Sequence, residues 1–562
     1  MNIDADLLQF YLYKKIIKKK DMEDILSESK RLNIPVRDYL LAKEYTTETT
    51  ELEALAEYYC MPFVELDMLD IDKALFDRFS FDYMKKNKFI PVNIDKNGVL
   101  LVAIGKPLDF NAMSATAAIF SCPMDYVLTP PVQIDRYIDS IAAVKSTSDA
   151  LKDLNTENDD KLFAGIKNAE TSVASADDVV NNPAVRLVDS IIKEAIPYRA
   201  SDIHIEPFEK RVRVRYRIDG DLQERASFPI EAYSAICARM KILAGLNIAE
   251  RRIPQDGRIN MRIGGKEYDF RVSSLPSVHG EKFVIRILDK SSFRFTRSDL
   301  GFTDEENKII DKMLMRPHGI ILLTGPTGCG KSTTLYSFLK EVNVPTVNII
   351  TVEDPVEYTM IGITQTQVNT KANMTFAAAL RSILRQDPDI IMIGEIRDEE
   401  TAEIAVRSAI TGHLVFSTLH TNDAPGAVTR LEDMKVPDYL VADALVGVIA
   451  QRLVKRLCPA CKKRGKTNAK EMEILGIDEP ISICRPQGCQ FCNNTGYKGR
   501  VAIHEILYVN DAMKNVITQN KNSEMLRTLA AENGMVKLWD SCRALVFKGL
   551  TSLQELMTLN MQ

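Results

Sequence analysis

The feature that most constrains this chain is one short run, Gly325-Pro326-Thr327-Gly328-Cys329-Gly330-Lys331-Ser332. An apolar stretch, Ile320-Ile321-Leu322-Leu323, then Thr324, leads into it, and Thr333-Thr334-Leu335-Tyr336-Ser337-Phe338-Leu339 leads out with the pattern of a helix start. Strand, glycine-rich turn, Lys-Ser and helix together are the context of a phosphate-binding P-loop. Glycines let backbone N–H groups turn inward around phosphate oxygens, and the helix N-terminus adds partial positive charge. Lys331 can reach the β- and γ-phosphates, and Ser332 can ligate Mg²⁺. Residues 325–333, Thr333 included, are therefore the candidate nucleotide-binding set. An ordinary glycine-rich turn is the competing reading, and it leaves the flanking strand and helix unexplained.

With 562 residues the chain exceeds one core, and roughly three or four domains are expected. The net charge of −5 argues against a protein that coats nucleic acid, while leaving room for a local basic groove. No apolar run reaches the roughly 18 residues of a membrane span. Asp4 and Asp6 stand where a signal peptide would need an apolar core. A cytoplasmic protein is expected, with any membrane role exerted through partners.

Ten cysteines are present, five of them between Cys458 and Cys492. Cys458-Pro459-Ala460-Cys461 and Cys489-Gln490-Phe491-Cys492 form two Cys-x-x-Cys pairs, 27 residues apart. Four thiolates in two such pairs suit tetrahedral Zn²⁺ with no open position, hence a structural site. A redox pair is the alternative. Cys484 is left over.

Residues 1–145 read as an α/β module. Ile3, Leu7, Leu8, Leu12 and Ile16 recur at helical spacing, and further helices are expected near 22–30, 36–43, 49–59 and 73–85. Strands are expected near 89–92 and 98–104. Lys14, Lys15, Lys18, Lys19 and Lys20 form a solvated face or a membrane-touching one. Residues 146–182, poor in large apolar groups, read as a linker. Residues 183–295 alternate helix 185–195, strands 202–206 and 212–218, helix 230–243, and strands 258–263, 268–272 and 283–288: an α+β domain. Arg211, Arg213, Arg215 and Arg217 alternate, so all four share one strand face. That face either carries paired acids or meets an anion. Residues 296–562 hold the P-loop, strand candidates 347–352, 363–367, 390–393 and 414–418, and helices 333–342, 376–385 and 401–410. A largely parallel sheet with crossover helices follows.

Hydrolysis needs a carboxylate near Mg²⁺ and a group that orients water. Ile390-Ile391-Met392-Ile393 ends in Gly394-Glu395, with glycine where an aspartate usually precedes the acid. Glu353, Asp354 and Glu357 follow the strand after the P-loop helix. Carboxylates at the C-terminal ends of parallel strands meet at the nucleotide crevice, so Glu353, Glu357 and Glu395 are expected to converge there. His413 and His420 bracket strand 414–418, as surface hydrogen-bonding groups or as phosphate sensors.

Glu353-Asp354-Pro355-Val356-Glu357, Gly394-Glu395-Ile396-Arg397-Asp398 and Thr411-Gly412-His413, with Leu419-His420-Thr421-Asn422, closely resemble the secretion ATPase superfamily. The chain most resembles its type II secretion and type IV pilus assembly ATPases. Arg199-Ala200-Ser201-Asp202-Ile203-His204-Ile205-Glu206, Arg217-Ile218-Asp219-Gly220, Pro254-Gln255-Asp256-Gly257-Arg258 and Arg271-Val272-Ser273-Ser274 extend the resemblance back to about residue 183. It implies a RecA-like ATPase domain in a homo-hexamer that uses ATP and Mg²⁺. Glu357 would be the water-activating base, Glu395 the acid acting with Ser332 on Mg²⁺, and His413 and His420 the γ-phosphate sensors. Arg217, Arg258 and Arg271 would reach the nucleotide within or across subunits. The four-cysteine insertion, 458–492, is a feature of the assembly ATPases that retraction ATPases generally lack.

The first 145 residues resemble the family's docking domain, including Ala54-Leu55-Ala56-Glu57-Tyr58-Tyr59-Cys60-Met61-Pro62-Phe63-Val64. Relatives that bind cyclic di-GMP use paired Arg-Leu-Gly…Gln segments. Here Arg31-Leu32-Asn33 and Tyr58 depart from that pattern, so docking to a membrane-associated assembly protein is expected instead. The resemblance further implies a location at the inner face of the bacterial membrane and coupling through an inner-membrane platform protein. Rival readings are a DNA-uptake or DNA-translocation motor, a pilus retraction ATPase, and a nucleotide-dependent binding module with little turnover.

Overall fold

The computed structural model describes residues 3–560 apart from 106–113, 146–182, 290–295, 520–522 and scattered positions among the first 145. The expected linker 146–182 and Lys15, Lys19, Lys20 and Asn33 lie outside the described residues. Two compact units form, Met1–Ile287 and Leu288–Gln562.

The first unit holds three hydrophobic cores. Helices α1 (Ile3–Tyr13), α2 (Met22–Leu32), α3 (Val36–Ala42) and α4 (Glu48–Tyr58) enclose Leu8, Tyr11, Ile25, Leu40 and Leu55. The buried Glu51 among them takes the Tyr11 hydroxyl and the Arg37 guanidinium, each at 2.8 Å. A second core, with Phe76, Phe89, Val102 and Leu128, surrounds strands β1 (Phe89–Ile94), β2 (Leu100–Ile104) and β3 (Met124–Leu128). The single helix expected over 73–85 is two pieces. A 3₁₀ turn, Lys73–Arg78, ends at extended Phe79, and Ser80 then caps α5 (Phe81–Asn87) by accepting the Tyr83 N–H at 3.2 Å.

The third core belongs to a six-stranded sheet in the order β6-β5-β4-β9-β8-β7. Its strands are β4 (Asp202–Pro207), β5 (Arg211–Ile218), β6 (Asp221–Pro229), β7 (Gln255–Ile263), β8 (Lys266–Ser277) and β9 (Gly280–Asp289). Alternate residues Ile203, Ile205, Val212, Val214 and Tyr216 are buried with Ile191 of α6 (Pro183–Ala195) and Ile236 of α7 (Tyr233–Ala244). The residues between them put charge on the opposite face. Arg213 and Arg215 both grip Glu206, at 3.0 and 2.8 Å, and Lys282 joins them at 2.9 Å. Burial would raise the Glu206 carboxyl, but these three cations bring it down to about 2. Arg217 lies 3.7 Å from Asp202 and Arg211 3.6 Å from Glu224. All four alternating arginines therefore have acidic partners within this sheet. The strand β6 was not anticipated. It is an edge strand with Phe228 as its one buried residue, so its sequence lacks the apolar alternation that marks strands.

The second unit is built on a seven-stranded sheet in the order β12-β11-β13-β14-β10-β15-β18. Its strands are β10 (Gly319–Thr324), β11 (Ile349–Glu353), β12 (Thr364–Gln367), β13 (Ile390–Ile393), β14 (Leu414–Leu419), β15 (Leu445–Leu457) and β18 (Tyr497–Tyr508). All pairings are parallel except β15 with β18. On β10, Ile320 and Leu322 enter one core with Ala402 and Val406, while Ile321 and Leu323 enter the other with Leu335 and Phe338. Helices thus cover both faces: α9 (Lys331–Val342) on one, α10 (Phe376–Ile383) and α11 (Glu399–Ile410) on the other, following α8 (Asp304–Leu314) in the chain. Between β15 and β18 sits the cysteine insertion, with the hairpin β16 (Lys463–Lys466) and β17 (Ser482–Arg485). The parallel arrangement was expected; β15 and β18 were not. Among the described residues no helix is long and apolar enough to cross a membrane.

Candidate active site

Parallel strands bring their C-terminal ends to one edge, and here that edge collects the loop after β10, Glu353 at the end of β11, Glu395 after β13 and His420 after β14. The strand beside β10 is β14, not β13. His420 therefore stands between the P-loop and the Glu395 strand.

The loop is cinched from behind by Gln451, a 2 % exposed residue of β15. Its amide donates to the Cys329 carbonyl at 2.8 Å and accepts the Thr334 hydroxyl at 2.7 Å. Gly325 (φ 139°) and Gly330 (φ 92°) are required by this closeness: a Cβ would meet the Gln451 carbonyl at 2.3 Å and its Nε2 at 2.8 Å. Pro326, Thr327, Gly328 and Ser332 remain exposed, whereas Cys329 is buried. Lys331, 9 % exposed, curls back so that Nζ donates to the carbonyls of Gly325 (2.7 Å) and Pro326 (3.2 Å). Burial pushes its ammonium pKa down, partly offset by Cys329 and the Glu395 carboxylate. The Thr324 hydroxyl receives the Thr421 N–H at 2.7 Å, tying the P-loop strand to the segment after His420.

Glu395, 15 % exposed in its side chain, faces Arg397 at 2.6 Å and His420 Nε2 at 3.5 Å. Gly394 explains the missing aspartate. A Cβ there would lie 3.3 Å from the Glu353 Cα and 3.4 Å from the Val352 carbonyl, so a side chain would press β11 and β13 apart. Of the three acids expected to converge, Glu353 is turned inward and 4 % exposed. Its oxygens take the hydroxyls of Tyr336 and Thr351 (2.6 Å) and the Gln365 amide (3.1 Å). Glu357 follows the cis Asp354–Pro355 peptide, half-buried, its N–H on the Tyr336 hydroxyl at 3.2 Å.

His413 is not brought to this edge. It precedes the six-residue strand that His420 follows, about 23 Å away along the strand. There its Nδ1 lies 3.0 Å from the Ser408 carbonyl in the last turn of α11. Arg217, Arg258 and Arg271 belong to the first unit. Arg217 also donates to the Gly220 carbonyl at 2.8 Å, and Arg258 stands opposite Arg271 in the β7–β8 ladder.

The cysteines form a second centre. One sulfur from each of Cys458, Cys461, Cys489 and Cys492 lies within 4.8 Å of the others. Separations are 3.8 Å for Cys458–Cys489 and Cys461–Cys492 and 3.7 Å for Cys489–Cys492. A tetrahedron with Zn–S bonds of about 2.3 Å has edges of about 3.8 Å, so the four sulfurs are compatible with Zn²⁺. Burial would raise the Cys492 thiol, yet N–H groups of Cys489 and Gly496 aimed at it, at 3.3 and 3.1 Å, help bring it down to about 7. Cys484 is buried outside this cluster.

Tyr336, Gln451 and Thr421 were missed. Gln451 had a signal, being a lone amide inside the apolar run 445–450 and 453–454; Tyr336 had none, since an aromatic residue on a helix ordinarily reads as core.

A P-loop whose strand is separated from the acid-bearing strand by a third one, with acids and a histidine on one edge, defines an ATPase of the P-loop class. The chain belongs to the type II/IV secretion system protein family, whose model matches residues 177–558. An MshEN domain model matches 59–147. The type IV pilus assembly ATPase PilB of Myxococcus xanthus is 41 % identical over 526 residues, 92 % of each chain. Type II secretion system protein E of Pseudomonas aeruginosa is 50 % identical over 377 residues, 67 % of this chain and 75 % of the relative. Type II secretion system ATPase E of Vibrio cholerae is 46 % identical over 412 residues, 72 % and 81 %. The chain is accordingly an ATPase that uses Mg²⁺.

Proposed function

We propose that this chain is the motor of pilus or pseudopilus extension. It works as a homo-hexameric ring at the cytoplasmic face of the inner membrane and acts through a membrane platform protein. Residues 1–145 dock it to an assembly protein at that face. The observation that carries the reading is the match to a pilus assembly ATPase along 92 % of both chains.

In this reading Lys331 leaves the loop carbonyls for the β- and γ-phosphates, and Ser332 and Glu395 hold Mg²⁺, which neutralises phosphate charge when bound. Glu357 takes the proton of the attacking water. His420, beside Glu395, senses the γ-phosphate, while His413 holds the end of α11. Arg217, Arg258 and Arg271 close on the nucleotide from the first unit of the same or a neighbouring chain. Such closure converts nucleotide binding into movement.

Purified chain is expected to run as a hexamer by light scattering and to hydrolyse Mg-ATP at a rate unchanged by duplex DNA. Deletion of its gene should abolish surface filaments or secretion, restored by the wild-type gene. Turnover stimulated by DNA and lost steeply with salt would transfer the reading to a DNA motor.

The four cysteines hold structural Zn²⁺. Replacing Cys458 and Cys461 together by Ser should lower bound zinc, by elemental analysis, from about one per chain to near zero, and lower the melting temperature. Wild-type chain lacking zinc after purification without chelators would refute this assignment.

A further inference from the structure

Tyr336 lies on α9, five residues after Lys331, and is 1 % exposed. Its hydroxyl donates to Glu353 Oε2 and accepts the Glu357 N–H at 3.2 Å. Its ring meets Tyr358 edge-on, with centroids 6.2 Å apart. Burial, then the Glu353 carboxylate, push the phenol pKa upward, so the group stays an O–H donor. With that proton committed to Glu353, the oxygen is left to accept the Glu357 N–H. The same turn is gripped from its other side by Gln365 of β12, which donates to Glu353 Oε1 (3.1 Å) and the Tyr358 carbonyl (2.9 Å). Gln365 also accepts the Met360 N–H at 2.6 Å. Glu353 is thus the common acceptor of two side chains that fix residues 357–360.

We infer that Tyr336 is a positioning residue that sets Glu357 against the nucleotide by linking it, through one phenol oxygen, to the P-loop helix. This rests on the reading of Glu357 as the water-activating base. Lys331 and Tyr336 share a continuous helix, so a displacement of its first turn by bound phosphate moves the phenol and the Glu357 backbone together. Nucleotide binding itself does not involve Tyr336. Its loss falls on the chemical step, where small misplacement is heavily penalised.

Full-length Tyr336→Phe keeps the ring against Tyr358 and removes only the hydroxyl. Its kcat should fall about tenfold, with KM and the Kd for a fluorescent non-hydrolysable ATP analogue within about twofold of wild type. Because the change leaves buried Glu353 short of a donor, Tyr336→Phe/Glu353→Gln is its companion, expected to regain melting temperature but not kcat. Wild-type kcat in Tyr336→Phe would overturn the inference, as would kcat and Kd worsening together, or recovery of kcat in the companion. Glu357→Gln separates the two levels. Wild-type turnover there removes the base reading itself, whereas lost turnover beside an unaffected Tyr336→Phe removes only the role of Tyr336.

Discussion

Lys331→Ala is expected to cut Mg-ATP turnover by about a thousandfold, roughly 4 kcal/mol of transition-state stabilisation. The lysine sits at the mouth of α9 with Nζ on two loop carbonyls. Those contacts are replaceable, because phosphate oxygens are stronger acceptors for an ammonium. The residue is nearly buried, and its pKa is lowered by that burial, so its charge is held in the loop at a desolvation cost. Deleting the side chain removes that cost along with the phosphate contact. The melting temperature should therefore change little while phosphate release collapses. Turnover within tenfold of wild type would show that the loop does not cradle the reacting phosphates.

Glu357→Gln is the second large effect, with kcat lowered by about 10²–10⁴, the range of general-base catalysis, and nucleotide affinity retained. Glutamine preserves shape and removes the proton acceptor, and the backbone N–H that Tyr336 accepts stays in place. The contrast is Glu395→Gln. Glu395 faces Arg397 and His420, and its change should appear first as a higher Mg²⁺ requirement. Rapid-quench measurement of a single turnover separates the two, since the first mutant binds Mg-ATP and fails at hydrolysis. Equal Mg²⁺ titration curves for both mutants would refute this division of roles.

The phosphate loop was legible because its chemistry demands a contiguous sequence: glycines at fixed positions, then Lys-Ser at a helix start. The cysteine centre was legible for a similar reason, since two short pairs announce four ligands without any knowledge of the chain between them. The strand β15 was not, because its first eight residues are all buried. A strand covered on both faces loses the alternation that separates it from a buried helix. Glu353 and Glu357 looked alike in sequence, both acids after one strand. Three donors from distant positions, Tyr336, Thr351 and Gln365, turn the first inward. The histidine pair brackets one strand, so only His420 stands at the edge that carries Glu395. An odd number of intervening residues or an even one changes which face a side chain shares, but either way a whole strand divides its two ends. The arginines of β5 alternate as expected, and the acids that meet them lie on neighbouring strands.

Gln451 and Cys458 lie on and just beyond the same strand, β15, seven residues and about 23 Å apart. Its pairing with β10 ends at Ala450, and from Gln451 to Leu457 it is hydrogen-bonded to β18, which makes it part of a two-stranded rod rather than a free tether. One end of the rod bears on the back of the phosphate loop and the other carries the cysteine knuckle. The back of the phosphate loop and the cysteine knuckle are thus joined through one ladder, that of β15 with β18.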